Sequence, residues 1–534
     1  MKLERTKNAQ KNIAVGMILK IYQMVMPFLM RSAMIHFMGI QYLGLNSLFT
    51  SVLHILNLAE LGVGSAMVFS MYKPIVEDDT QTICALMRLY RKYYRIIGLL
   101  IGVVGAALTP LIPHLIEKGV PAGLNVYILY LMNLGSTVLT YWLFAYKNCL
   151  LSAHQRTDVA STVTMITTTL QYGIQLLVMI IWENYYIHII VALATQALNN
   201  IITAVVTTKM YPNYFPKGKL PKEQTKNINC RIRDLFTGKL GNVILTSADS
   251  VVISAFLGVT VLAIYQNYYF IVTSVIGIVE IILQSITAGL GNSYVTETKE
   301  KNYKDLQKFT FLFTWLLGVC VCCFLGLYQP FMRLWLRRDY WLLDYGAVIC
   351  FAVYFFVYCM NRLLNVYKDA AGLWHEDRFR PLVTALVNLG LNLLLINVWG
   401  IYGVLLSTVV SMVFVGMPWL LHNIFTMFFP KELLKSYVKQ IFKSILVTAL
   451  AGVVIWLICL PIEFDFNVPT RVNMLLTLMV RVCICVTVPN VLFYVLLRRS
   501  EQFRPSVQFL DRLSKDRLKL EARFVPKSNK KTKP

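Results

Sequence analysis

About fourteen apolar runs long enough to cross a bilayer divide this sequence. They lie near residues 13–38, 42–71, 93–116, 122–146, 158–182, 186–208, 236–257, 262–295, 309–329, 345–367, 381–397, 401–422, 441–460 and 470–497. Hydrocarbon offers no water to backbone N–H and C=O groups, so a crossing segment must satisfy them itself, and a helix does so. The expected fold class is therefore all-α: a polytopic membrane protein of about 14 transmembrane helices. At 57% hydrophobic and 15% charged, the chain is also too apolar for a soluble multi-domain protein. The opening MKLERTKNAQKN leads into a run longer than a signal-peptide core and without a small-residue cleavage site, so the first helix is expected to remain.

The position of the charge explains its size. Of 51 Lys and Arg, 43 fall in the N-terminus, in alternate gaps between runs and in the tail from Arg498. The intervening gaps hold only Lys118, Arg333, Arg337, Arg338 and Arg471. This is the positive-inside pattern of a multi-pass protein, so the net charge of +24 needs no nucleic acid, and both termini are expected in the cytoplasm. The 11 cysteines sit mostly within spans, where they read as small packing residues rather than metal ligands or disulfides.

The chain also repeats. An offset of 219 residues places Phe37-Met38-Gly39-Ile40 on Phe256-Leu257-Gly258-Val259, with Asp249 one place from the copy of Arg31 and Glu280 one place from that of Glu60. At 221 residues, YKNCLLSAHQRTD (146–158) returns as YKDAAGLWHEDRF (367–379), a polar match that apolar helices do not produce by chance. A duplicated lobe gives the domains: a six-helix lobe over 1–208, a cytoplasmic linker over 209–235, a second six-helix lobe over 236–425, two further helices over 426–497 and a basic tail over 498–534. The tail is expected to act as a topology anchor attracted to anionic lipid, with a short amphipathic helix around 509–520.

No nucleotide-binding loop, zinc-protease signature or serine-nucleophile elbow occurs, and no outer loop is large enough to carry acids for glycan polymerisation. The expectation is a non-enzyme without cofactor or metal. What remains is ionisable groups inside spans, which cost about 2.5–3.5 kcal/mol at a helix centre. Lys20, Arg481 and Arg362 lie where they can snorkel or anchor, and Arg31 reads either as such an anchor or as a charge on a wet interior. Glu60, Asp249 and Glu280 have short side chains that do not reach the interface, so they are expected to face a paired or aqueous interior. In a duplicated membrane protein this pattern points to a secondary transporter.

Several phrases carry a family resemblance: FMGIQYLGLNSLF (37–49), LAELGVGSAM (58–67) leading into YKPIVEDD (72–79), SADSVVISAFLG (247–258), DRFRPLV (377–383) and WGIYGVLLST (399–408). They resemble polysaccharide (oligosaccharide-lipid) flippases of the multidrug/oligosaccharidyl-lipid/polysaccharide exporter superfamily. The resemblance implies alternating access and a cationic cavity that moves an undecaprenyl-diphosphate-linked oligosaccharide across the bacterial plasma membrane. Arg31 matches the region where relatives carry cationic cavity residues. On this reading Arg31, Asp249 and Arg362 bind substrate, with Asp249 as the partner of Arg31, while Glu60 and Glu280 carry a coupling proton or Na⁺. The acids depart from a strongly cationic pattern. A cation-coupled multidrug exporter and a non-transporting subunit of a glycan-assembly complex are the alternatives.

Overall fold

A computed structural model describes residues 5–60, 62–116, 120–121, 123–336, 338–373, 375–461, 470–513 and 521, and every regular element among them is helical. In chain order these are α1 (Arg5–Phe37), α2 (Ile40–Leu56), α3 (Val63–Val76), α4 (Thr80–Leu108), α5 (Val126–Trp142), α6 (Asn148–Ala153), α7 (Thr157–Ile181), α8 (Tyr185–Met210) and α9 (Lys222–Leu257). There follow α10 (Val259–Thr296), α11 (Lys299–Leu336), α12 (Tyr345–Ala370), α13 (Arg380–Trp399), α14 (Ile401–Ser411), α15 (Met417–Asn423), α16 (Glu432–Cys459), α17 (Thr470–Leu497) and α18 (Phe503–Leu513). Among the described residues twelve spans are long and apolar enough to cross a membrane, and the pair formed by α5 and residues 145–153, bent by 46°, makes up to 13. Leu394 and Val398 are 68% and 70% exposed, a loss in water but no penalty against hydrocarbon. The protein is an all-α, multi-pass membrane protein.

The expected span over 42–71 is a broken one. It folds as α2, a 3₁₀ turn over Asn57–Glu60 and α3, and Gly62 at the start of α3 holds φ +89°, a left-handed conformation that glycine adopts without strain. Hydropathy does not register such a break, because the flanking residues stay apolar.

The repeat is visible in the backbone. Gly39 joins α1 to α2 at φ 115°, ψ 161°, and Gly258 joins α9 to α10 at φ 85°, ψ 166°. These are the residues that the 219-residue offset superimposes, so both copies turn from first to second helix at the same glycine-only backbone region. The polar phrase also has a local explanation. In one copy Lys147 Nζ donates to Thr208 Oγ1 at 2.5 Å, and Arg156 grips Asp158 with two bonds of 2.9 and 3.2 Å. In the other, Arg380 grips Asp377 at 2.6 and 2.9 Å, and Lys368 lies 3.4 Å from the same carboxylate.

Packing groups the chain into two compact units, Met1–Asn267 with Pro381–Val404 and Tyr268–Arg380 with Leu405–Pro534. In the first, α9 packs on α2 and α3. It begins at Lys222, inside the stretch expected to be linker, because Pro221 caps it and the residues that follow include no helix breaker before Gly238. In the second, α11 is the central helix, against which α12, α16, α17 and α18 pack. Gly326 permits the close approach of α17: a Cβ there would stand 2.3 Å from Cys485 Sγ. The tail helix α18 docks on this unit, with Phe509 edge-on to Phe309 at 5.1 Å and Lys308 Nζ 5.0 Å from both rings. It starts before the expected 509–520, of which 514–520 lie outside the described residues, as do Arg337 and the end of the tail.

Candidate functional site

Among the described residues, the intramembrane charges singled out by the sequence as site candidates lie in four polar constellations, three in the first unit and one in the second. The first is built on the break between α2 and α3. There Glu60 Oε1 accepts a hydrogen bond from Tyr94 Oη at 2.5 Å, and Oε2 accepts one from Tyr141 Oη at 2.7 Å. Tyr90, one helical turn before Tyr94 on α4, donates to Tyr94 Oη at 2.6 Å. The i, i+4 spacing places the two phenols on one face of α4, with rings 4.3 Å apart, and Tyr141 of α5 meets Tyr94 edge-on at 5.4 Å. Hydrogen bonds from phenolic hydroxyls to a carboxylate are charge-assisted and stronger than those between neutral groups. The chain Tyr90, Tyr94, Glu60 is also a continuous line of exchangeable protons. Sequence reading found the acid and missed the tyrosines: the spacing in YRKYY (90–94) signals Tyr90 and Tyr94, and nothing local signals Tyr141.

The second surrounds Asp249 on α9. Only 8% exposed, it accepts from Asn392 Nδ2 of α13 at 2.7 Å, and Asn388 stands one turn from Asn392. On either side, Gln266 donates to Ser250 Oγ at 2.8 Å, and His54 Nδ1 and Ser247 Oγ are 2.9 Å apart. Asp249 thus sits in a polar belt linking α2, α9, α10 and α13.

The third is Arg31, half-buried on α1, with Nη1 enclosed by protein. It interacts with Tyr172 of α7, against which α1 packs, and Tyr22 and Thr169 join the same two helices at 2.8 Å.

In the second unit Arg362 Nε of α12 lies 3.1 Å from Glu280 Oε1 of α10, with side chains 39% and 26% exposed. Tyr358, one turn before Arg362, lies within electrostatic reach of both. The structure thus brings together an arginine that sequence reading had at a helix end and an acid that it grouped with Glu60. The repeat-related acids have different surroundings: Glu60 has two phenols, Glu280 a guanidinium. Among the described residues no three His, Cys, Asp or Glu side chains stand close enough to hold a metal ion.

No family model and no curated protein matches the sequence. Solved structures match it along most of its length. A lipid II flippase MurJ in an inward closed conformation is similar with a TM-score of 0.63 and 14% identity, covering 91% of this chain and 100% of that one. An inward-facing multidrug resistance MATE family transporter of the MOP superfamily matches with a TM-score of 0.59 and 14% identity, over 79% of this chain and 99% of the transporter. A MATE structure in a bent conformation matches with a TM-score of 0.52 and 14% identity, over 81% and 96%. The chain has the fold shared by these membrane transporters.

Proposed function

We propose that the protein is a flippase of the plasma membrane that moves a lipid-linked, undecaprenyl-diphosphate oligosaccharide by alternating access for surface polysaccharide biosynthesis. Both termini lie in the cytoplasm. The fold likeness carries this reading, since the flippase structure accounts for 91% of the chain and the MATE transporter for 79%. The pair Glu280–Arg362 supports it chemically. A guanidinium offers the same planar fork to a carboxylate and to a diphosphate, so an arriving diphosphate takes the place of Glu280 while the desolvation of Arg362 stays offset. Arg31 serves as a second cationic contact, with Asp249 as its partner once the substrate has left. Glu60, whose carboxylate is held by the hydroxyls of Tyr94 and Tyr141, takes up and releases the coupling proton or Na⁺, and Glu280 is freed for the same task whenever substrate holds Arg362.

One observation favours a second reading, a cation-coupled multidrug exporter: a carboxylate held by neutral phenols, as Glu60 is, suits a cationic ligand. A cellular experiment separates the two. Loss of the protein should abolish surface polysaccharide and accumulate its lipid-linked precursor on the cytoplasmic leaflet, without changing drug susceptibility. Normal polysaccharide with increased drug sensitivity would select the exporter.

A further inference from the structure

A cavity of about 810 Å³ opens in the second unit between the ends of α11 and α16 and the starts of α12 and α17. Its volume suits a ligand the size of a lipid headgroup. The sequence of α17 leads into it: Asn473, Thr477 and Arg481 recur every four residues and line one wall, a polar stripe on an otherwise apolar helix. Arg481 lies nine residues inside the span that begins at Val472, or about 13 Å at 1.5 Å per residue. It stands beside Tyr345, with Nη1 3.5 Å from the Gly326 carbonyl. Among the described residues the other lining charges are on the loop between α11 and α12 and its flanks, where Arg333 and Asp339 are 3.5 Å apart and Asp344 is exposed. The deep end is therefore cationic, and the mouth carries two carboxylates and one arginine. One side of the cavity is formed by Trp456 and Leu460, which are 41% and 56% exposed on the outer face of α16.

We infer that this cavity binds the ammonium–phosphate headgroup of a zwitterionic phospholipid. The phosphate reaches inward to Arg481, whose fork matches it, with Thr477 and Asn473 as further polar contacts. The ammonium stays at the mouth against Asp339 and Asp344. Among the described residues the lining charges, Arg333, Arg481, Asp339 and Asp344, cancel, so a simple anion or a simple cation gains from half of them and is opposed by the rest, whereas a ligand with both signs in this order meets each. The acyl chains leave past Trp456 and Leu460 into hydrocarbon, which is what selects a lipid over free phosphoethanolamine. This inference does not depend on what the protein transports.

Native mass spectrometry of the purified full-length protein tests it, with phosphatidylethanolamine, phosphatidylglycerol and phosphatidylcholine added in turn. The wild type should retain phosphatidylethanolamine about tenfold more than either of the others. The glycerol headgroup has no cation for the carboxylates, and the trimethylated one has no N–H to donate. Asp339→Asn with Asp344→Asn should erase the preference over phosphatidylglycerol, and Asp339→Lys should reverse it. Arg481→Gln should weaken retention of all three. Should Arg481→Gln fail to fold, the exposed Asp339 variants still decide the matter. Equal retention of the three lipids by the wild type, an unchanged preference in Asp339→Lys, or displacement of bound lipid by equimolar free phosphoethanolamine would each overturn the inference.

Discussion

Glu280 Oε1 and Arg362 Nε meet at 3.1 Å between α10 and α12, an acid and a base on neighbouring membrane-spanning helices. Removing one partner of such a pair leaves a charge without its counterion, which costs more than removing both. Arg362→Ala should therefore lower the thermal stability of the purified protein further than Arg362→Gln combined with Glu280→Gln. The single variants and the double variant should all transport poorly if Arg362 receives the diphosphate. A double variant that transports normally would reduce the pair to a structural contact.

Glu60 gives a different pattern. Each phenol that it binds should be worth about 1–2 kcal/mol of stability, so Tyr94→Phe and Tyr141→Phe should each lower the melting temperature while leaving a measurable transport rate. Glu60→Gln should leave protein in the membrane and remove the dependence of transport on an imposed ion gradient. Retention of that dependence in Glu60→Gln would assign coupling elsewhere.

Arg31→Ala should strongly reduce glycan export at unchanged protein level, and Arg31→Lys should reduce it less, since the charge survives and the planar fork does not. Full export by Arg31→Ala would make the residue a snorkelling anchor.

Asp79 immediately precedes the apolar span that begins at Thr80 and caps α4, accepting from the Thr82 hydroxyl at 2.6 Å and the Thr82 amide at 3.0 Å. These bonds, the hydroxyl's first, hold its carboxyl below the usual carboxylate range. A lowered value in the folded state means that the contribution is present above the unfolded value of about 3.9 and is lost as the pH falls through the lower folded value. Amide exchange at Thr82 and Ile83, corrected for its intrinsic pH dependence, should show constant protection from pH 8 to about 5 and lose it in the acid range. Asp79→Ala should show weak protection at every pH.

Cys230 is exposed on the part of α9 that precedes its membrane span. In intact cells an impermeant maleimide should leave it unlabelled, and permeabilisation should expose it. Labelling without permeabilisation would invert the topology.

What the sequence disclosed depended on how far each signal reaches along the chain. Hydropathy located the spans, because burial in lipid acts on consecutive residues. The repeat was readable at Gly39 and Gly258, where one backbone geometry excludes other residue types. Glu60, Asp249, Glu280 and Arg362 stood out because charges within apolar runs are rare. Their partners did not. Tyr94, Tyr141 and Asn392 approach from helices far away in sequence, and a tyrosine or asparagine in a membrane helix is not unusual in itself. The break after α2 was hidden for a related reason, since it lies in the backbone angles of Gly62 and leaves no gap in hydrophobicity.

Transport of a lipid-linked oligosaccharide is measured most directly in vesicles that contain only the purified protein and an undecaprenyl-diphosphate oligosaccharide. Glycan accessible to an added impermeant glycosidase is followed with time. The protected fraction should become accessible with the wild type and not with Glu280→Gln combined with Arg362→Gln. Protection that persists with the wild type under every imposed ion gradient, in vesicles where the protein is folded and correctly inserted, would contradict the proposed transport.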